Sequence, residues 1–211
     1  MKKIVIIGAG GFGREVAWII ERINAIKPTW DLAGFLDDNP ALLNKPVYKQ
    51  YSVIGGVDYA SELTDVYFVC AIGNAKIRKN IIQKLGDKKF ATIIDPTAIV
   101  SDTASIGEGS IICHNAIVSI NVNISKHCDI IYGAIVSHDA KLNSFVTLYP
   151  SVNISGNVSI GSCVEIGAGA KVIQQKNIGN NVIIGAGSVV IKDIPDNSTA
   201  VGVPTKLIKL N

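Results

Sequence analysis

Histidines are the residues of this sequence best suited to proton transfer, because an imidazole is an effective base near neutral pH. The chain has three of them, His114, His127 and His138. From the residues alone, a surface histidine on a scaffold is the simplest interpretation of each. A catalytic role therefore has to be argued from what surrounds the imidazole.

A glycine-rich turn near the N-terminus is the second candidate for chemistry. Gly8, Gly10 and Gly13 form the pattern G-x-G-x-x-G between an apolar run, Lys2 to Ile7, and apolar residues at helical spacing. Such glycines let the backbone approach a phosphate, which the N–H groups at the start of a helix then favour. Asp37 falls about where an acidic residue binds a ribose in dinucleotide folds. The alternative is a tight turn with no ligand.

Short strands and helices must position this turn. Extended segments at 2–7, 32–36, 66–72 and about 90–94 alternate with two helical patterns. This order predicts a small parallel α/β sheet in residues 1–90, a Rossmann-like half-domain. Half of a dinucleotide fold suits a nucleotide-linked metabolite and disfavours a nicotinamide-dependent enzyme.

A repeat with a period of six organises the rest of the chain, 91–211. Every sixth residue from Ile94 to Val190 is aliphatic, and a small residue or valine usually follows four positions later, as at Ala116 and Ala140. Amphipathic helices repeat every three or four residues, and loops keep no frame. The repeat therefore predicts short strands stacked in a solenoid.

Composition excludes several classes of protein. The net charge is +3, and the lysines are interleaved with acidic and apolar residues, so nucleic-acid binding is disfavoured. The four cysteines form no Cys-x-x-Cys pair and fit a reducing compartment. The first apolar run is too short for a signal or a membrane span. We expect a cytoplasmic protein with no membrane partner.

The repeat resembles that of the hexapeptide-repeat acyltransferases. The resemblance implies an all-β left-handed parallel β-helix in which three hexads make one coil, and a homotrimer with active sites between subunits. The whole chain is similar to the sugar acetyltransferases of the sialic acid and bacillosamine pathways. The segments that carry this similarity are the turn from Gly8 to Gly13, Ala71-Ile72-Gly73-Asn74 with Ile77-Arg78, the repeat itself, and Val201-Gly202-Val203-Pro204-Thr205-Lys206.

The resemblance implies acetyl-CoA-dependent transfer to an amine or hydroxyl of a sugar, most simply a nucleotide-linked amino sugar. It makes His138 the general base and Asp139 the residue that orients it or stabilises its charged form. Gly156 lies one coil on in the same column, where it would leave room for the acyl donor and offer a backbone N–H to an oxyanion. His114 belongs to another face, because it lies one coil plus one face from His138.

The resemblance also assigns binding residues. The residues expected to contact acetyl-CoA are Gly156, Ala168, Gly185, Ala186, Lys192 and Lys206. The residues expected to contact the sugar substrate are Gly8, Gly10, Gly11, Gly13, Asp37, Asp38, Gly73, Asn74 and Arg78. Two positions depart from the family pattern, because Ile131 replaces an asparagine and Thr147 replaces a histidine that many relatives carry.

The sequence leaves other functions to consider. A zinc enzyme of the γ-carbonic anhydrase kind is disfavoured, since its paired histidines lie five residues apart and no such pair occurs here; no metal is expected. A sialic acid O-acetyltransferase stays open, because hydroxyl and amine acceptors use the same base. So does a non-catalytic nucleotide-sugar-binding or assembly protein.

Overall fold

The computed structural model describes residues 1–210, with the side chains of residues 1–208, and the chain divides into two compact units, Met1–Pro96 and Thr97–Asn211. The division lies six residues beyond the boundary expected at residue 90. An ion pair accounts for the difference: Arg22 binds Asp95, whose side chain is fully buried, with Nε and Oδ2 2.7 Å apart. This contact keeps residues 91–96 with the first unit.

The first unit is an α/β sheet. Its elements in chain order are β1 (Lys2–Ile7), α1 (Gly11–Ile26), β2 (Trp30–Leu36), a 3-10 helix (Pro40–Leu42), β3 (Pro46–Tyr48), β4 (Tyr51–Gly55), a second 3-10 helix (Val57–Ser61), β5 (Tyr67–Cys70), α2 (Ala75–Leu85) and β6 (Ile93–Ile94). The sheet order is β3-β4-β2-β1-β5, and all neighbours are parallel except β3 and β4. The predicted Rossmann-like half-domain is confirmed.

Burial explains the centre of this sheet. The residues from Ile4 to Ile7 in β1 are fully buried, as expected for a central parallel strand with both faces covered. The hairpin formed by β3 and β4 is not anticipated by the sequence. Its turn places Lys49 at φ 49° and has no glycine or Asn-Gly pair to signal it.

Both helices follow from their apolar spacing. Helix α1 buries Val16, Ala17, Ile19 and Ile20 on one face. Helix α2 begins after Asn74, whose side chain accepts a hydrogen bond from the N–H of Ile77. No helix in the described part of the chain is long and apolar enough to cross a membrane.

The second unit consists mainly of two-residue strands. In chain order these are β7 (Ile99–Val100), β8 (Ser105–Ile106), β9 (Ile111–Ile112), β10 (Ile117–Val118), β11 (Asn123–Ile124), β12 (Asp129–Ile130), β13 (Ile135–Val136), β14 (Lys141–Leu142), β15 (Thr147–Leu148), β16 (Asn153–Ile154), β17 (Ser159–Ile160), β18 (Glu165–Ile166), β19 (Lys171–Val172), β20 (Asn177–Ile178), β21 (Ile183–Ile184), β22 (Val189–Val190), β23 (Ser198–Val201) and β24 (Lys206–Leu210).

These strands form three parallel faces of a β-helix. Face 1 contains β7, β10, β13, β16, β19 and β22; face 2 contains β8, β11, β14, β17 and β20; face 3 contains β9, β12, β15, β18 and β21. Pairing joins residues 18 apart, as Val118 to Val136 and Val136 to Ile154. The aliphatic residue of each hexad points inward, and from Ile112 onward it is buried. The predicted left-handed parallel β-helix is confirmed.

The frame of six ends at Val190 because the last coil is shorter. Ile183 of β21 pairs with Thr199 of β23, which lies 16 residues along the chain instead of 18. Two aspartates fasten this coil: Asp193 accepts hydrogen bonds from the N–H and Nδ2 of Asn177, and Asp196 accepts the same pair from Asn180. In each case the backbone hydrogen bond and then the side-chain hydrogen bond hold the pKa of the aspartate below its ordinary value.

Candidate active site

The corners of the β-helix carry the histidines. We number each corner by the two faces it joins, so that corner 1–2 contains residues 137–140, corner 2–3 contains residues 125–128 and corner 3–1 contains residues 113–116. At each corner from Gly109 to Gly187 the chain passes through a residue in the left-handed region, here Asp139 (φ 59°), His127 (φ 56°) and Asn115 (φ 56°). The three histidines therefore lie at three different corners, and they form no joint site on one chain.

His138 and Asp139 form a dyad at corner 1–2. The Nδ1 atom of His138 lies 2.8 Å from Oδ2 of Asp139, and both side chains are about half exposed. A carboxylate only accepts hydrogen bonds, so Nδ1 carries a proton, and in the neutral imidazole Nε2 then keeps its lone pair. This arrangement leaves Nε2 available as a general base.

Asn121 extends the dyad by one coil. Its Nδ2 atom donates to Oδ1 of Asp139 over 3.1 Å. The hydrogen bond from His138, and after it the one from Asn121, hold the pKa of Asp139 below its ordinary value. Asn121 is not among the residues predicted from the sequence, although the 18-residue coil makes it the preceding residue in the column of Asp139.

Gly156 lies directly against the imidazole. A methyl group added at its Cα would lie 2.5 Å from both Cε1 and Nε2 of His138. The space left by the missing side chain of Gly156 is thus filled by the imidazole ring of His138. From the sequence, this space was expected to hold the acyl donor. Contact of Gly156 with acetyl-CoA stays a prediction.

The other two histidines pack as flat aromatic groups. His127 is buried and stacks on Phe145 with ring centres 5.4 Å apart, while His114 stacks on Tyr132 at 5.0 Å. Among residues 1–210, no group of three or more His, Cys, Asp and Glu side chains is arranged to hold a metal ion. Both rings serve as part of the scaffold.

The residues expected to bind acetyl-CoA are divided between corners. Lys192 is exposed and belongs to the column of His138 and Gly156, three coils beyond His138, a rise of about 14 Å at the usual strand spacing. Ala168, Gly185 and Ala186 instead lie at corner 3–1. Lys206, also exposed, begins β24 beside Val201.

The glycine turn of the first unit has the predicted geometry. Gly8 has φ 98°, and a side chain at Gly13 would collide with the carbonyl of Gly8, so neither position accepts another residue without movement. Asp37 accepts hydrogen bonds from the N–H groups of Ala9 (2.8 Å) and Asn39 (2.9 Å). The turn and the acidic residue therefore meet at the carboxyl end of β1, together with Gly10 and Gly11 at the start of α1.

Asp38 and the loop after β5 brace this region. Asp38 accepts a 2.7 Å hydrogen bond from the N–H of Val57. Arg78 is fully buried and donates through Nη1 to the carbonyls of Ile72 (2.5 Å) and Gly73 (3.2 Å). The guanidinium supports the loop at Gly73 and Asn74, and contact of Arg78 with the substrate stays a prediction.

An open cleft of about 540 Å³ adjoins the start of α1. Gly11 and Arg14 line it on the helix side together with Trp18, while Tyr48 and Lys49 of the β3–β4 hairpin line the other side. Sequence analysis proposed only Gly11 among these residues. Tyr48 and Lys49 could not be found because the hairpin itself was not predicted, and without the hairpin nothing marked Arg14 and Trp18 of the predicted helix as facing a cleft.

Comparison with known proteins agrees with this arrangement. Residues 3–85 match the family model described as the PglD N-terminal domain. A curated UDP-N-acetylbacillosamine N-acetyltransferase of Bacillus subtilis (strain 168) is 39% identical over 125 residues, which cover 53% of this chain and 51% of that protein. The match thus spans about half the length of this curated relative.

Solved structures match over the full chain. The acetyltransferase domain of PglB from Neisseria gonorrhoeae FA1090 is 33% identical and covers 99% of this chain and 100% of its own, with a TM-score of 0.89; it is also known in complex with acetyl coenzyme A. PerB from Caulobacter crescentus, in complex with CoA and GDP-perosamine, is 31% identical and covers 99% of this chain and 98% of its own, with a TM-score of 0.88. The chain therefore belongs to the hexapeptide-repeat family of sugar acetyltransferases, as the resemblance in its sequence predicts.

Proposed function

We propose that this chain transfers the acetyl group of acetyl-CoA to the amine of a nucleotide-linked amino sugar. The observation that carries the proposal is the dyad at corner 1–2, where Asp139 holds Nδ1 of His138 and leaves Nε2 free. The glycine turn with Asp37 supplies a second feature, a place for the phosphates and ribose of a nucleotide. The solved relatives support both halves, since one binds acetyl coenzyme A and another binds CoA with GDP-perosamine.

The reaction needs one proton to move twice. As the sugar nitrogen attacks the thioester carbon, Nε2 of His138 accepts a proton from that nitrogen. The imidazolium that forms is stabilised by the carboxylate of Asp139. When the tetrahedral intermediate collapses, the C–S bond breaks and the imidazolium returns the proton to the CoA thiolate, so that His138 ends neutral.

The oxyanion of this intermediate requires a hydrogen-bond donor. The N–H of Asn157 already donates to the carbonyl of His138 over 3.0 Å. The remaining candidate near the base is the N–H of Gly156, which we propose for this role.

An amine acceptor is favoured over a hydroxyl. The curated relative is named an N-acetyltransferase, and so is the perosamine enzyme of Caulobacter crescentus. A sialic acid O-acetyltransferase is the second candidate, because the base chemistry is the same. Ile131 and Thr147, which are both buried here, are the departures that would set this acceptor apart from that of other relatives.

Assembly and location complete the proposal. We propose a homotrimer with each active site between two subunits, which would bring residues of corner 3–1, such as Ala168 and Ala186, to the His138 of a neighbouring copy. All four cysteines are free and buried, which fits the reducing cytoplasm. Sedimentation at several protein concentrations checks the trimer.

A thiol-release assay tests the function. Acetyl-CoA is offered with UDP-linked and GDP-linked amino sugars, free amino sugars and sialic acids, and CoA release is followed with each. We expect release with a nucleotide-linked amino sugar and none with the corresponding hydroxy sugar. Release with sialic acid alone would support the second candidate, and no release together with no binding of acetyl-CoA would contradict the enzyme assignment.

A further inference from the structure

We propose that Asn121 is a positioning residue for the general base, acting through Asp139. This inference rests on the proposed function of His138. The two oxygens of Asp139 have different partners: Oδ2 faces Nδ1 of His138 at 2.8 Å, and Oδ1 faces Nδ2 of Asn121 at 3.1 Å. Because the carboxylate only accepts, Asn121 must present its amide N–H group. Each oxygen of the carboxylate thus accepts a hydrogen bond from a different side chain.

The turn at Asn121 does not need this side-chain contact. Asn121 has φ 56°, and its backbone N–H already donates to Oγ1 of Thr103 over 3.0 Å. Glycine adopts the same backbone conformation at no steric cost. The amide group of Asn121 is therefore available for a role other than shaping the corner.

A second asparagine shows what the scaffold alone requires. Asn181 lies at corner 2–3 with φ 55°, and its Nδ2 donates to Oδ1 of Asn197 on the following coil over 2.9 Å. Its backbone conformation and its side-chain contact along the ladder resemble those of Asn121, although the acceptor is a neutral amide, and no histidine dyad is attached to that acceptor. Asn181 is therefore a matched control for the loss of a ladder hydrogen bond.

Because the side chains of Asn121 and Asp139 are solvent-exposed, their hydrogen bond can orient the carboxylate without contributing much to the stability of the fold. Asn121 is exposed and the Asp139 side chain is 42% exposed, so a hydrogen bond between them contributes little to folding. The same contact removes rotamers that would turn the carboxylate away from His138. Loss of Asn121 should therefore affect the chemical step far more than the free energy of unfolding.

The first test compares Asn121→Gly with Asn181→Gly. We expect Asn121→Gly to lower kcat roughly five- to tenfold with both KM values unchanged, while Asn181→Gly keeps kcat. The Tm of the two variants should change by similar amounts. Equal kcat in both variants would overturn the proposal, as would a rise of KM as the sole effect.

The second test uses Asn121→Asp, which keeps the size and the left-handed backbone but cannot donate to Asp139. We expect no recovery of kcat relative to Asn121→Gly. We also expect the acidic limb of the kcat/KM profile to move to higher pH, because a second carboxylate favours the imidazolium. A profile identical to that of wild type, with normal kcat, would contradict the assignment.

A measurement without turnover keeps this inference separate from the proposed function. Nitrogen-15 NMR of His138 reports which ring nitrogen carries the proton in the free protein. We expect the Nδ1–H tautomer to dominate in wild type and Asn181→Gly, and a mixture of tautomers in Asn121→Gly. The same dominant tautomer in all three proteins would overturn the role of Asn121, whether or not any acceptor is acetylated.

Discussion

His138 and His127 stand at two corners of the same β-helix and differ in every property that matters for catalysis. Each ring has a glycine one coil away on which a side chain would collide, Gly156 for His138 and Gly109 for His127. His127 occupies the left-handed position itself and is buried against Phe145. His138 precedes that position, which holds Asp139, and it is about half exposed. A shift of one residue within the same type of turn thus separates a packing group from the proposed base.

Removal of the Asp139 carboxylate should abolish the feature that most clearly distinguishes His138 from His127. Asp139→Asn keeps the shape and tolerates the left-handed backbone, but it takes away the charge that stabilises the imidazolium. We expect kcat to fall roughly 10- to 100-fold in a CoA-release assay. An unchanged kcat would mean that His138 acts without a charged partner.

The pH dependence of kcat/KM tests whether the charge of Asp139 stabilises the imidazolium of His138. The pKa of Asp139 lies below its ordinary value because of the hydrogen bonds from His138 and then Asn121, so this group stays charged throughout the neutral pH range. The acidic limb of kcat/KM should therefore have a slope of one, because Asp139 takes up no proton in this range. In Asp139→Asn the limb should move to lower pH; a shift to higher pH would contradict a stabilising carboxylate.

Alanine substitutions of two corner glycines should have different effects, one on kcat and the other on Tm. Gly156→Ala should displace the imidazole, because a methyl group there meets the movable ring 2.5 Å away, and kcat should fall about tenfold with little change in Tm. Gly161→Ala is the control, since its methyl group meets backbone atoms of Gly179 at 2.7 Å and should lower Tm instead. The reverse pattern would place the reacting group elsewhere.

The smallest effect on activity is expected at the buried ring. His127→Asn accepts the left-handed backbone but loses the stack on Phe145, which costs about 1 kcal/mol of unfolding free energy. Urea denaturation should show this loss, while kcat stays at the wild-type value. A large fall in kcat with unchanged stability would give His127 a catalytic role and remove the contrast with His138.

The frame of six made the β-helix predictable, because the aliphatic residue of every hexad from Ile112 to Val190 fills the core, in one of three columns. The frame also placed His138 and Gly156 together. The frame does not predict the shortened last coil. Asp193 and Asp196 hold that coil by side-chain hydrogen bonds, which the repeat does not specify.

The first unit was predicted less completely, since it has no repeat. The strand and turn up to Gly13 follow from local pattern, but the β3–β4 hairpin turns at Lys49 without a recognisable signal. Arg78 shows a different limit, because an arginine beside a loop looks the same in sequence whether it faces a ligand or the core. The frame puts Asn121 in the column of Asp139, but it does not specify the side-chain rotamers on which their hydrogen bond depends.

Acetyl transfer by His138→Ala, measured beside His127→Asn, tests the central claim most directly. Both variants are assayed for CoA release with the accepted nucleotide-linked amino sugar, and acetyl-CoA binding is measured by calorimetry. The account predicts a fall in kcat of roughly 10²- to 10⁴-fold for His138→Ala with acetyl-CoA binding retained, and a wild-type kcat for His127→Asn. Turnover by His138→Ala at the wild-type rate would contradict the account.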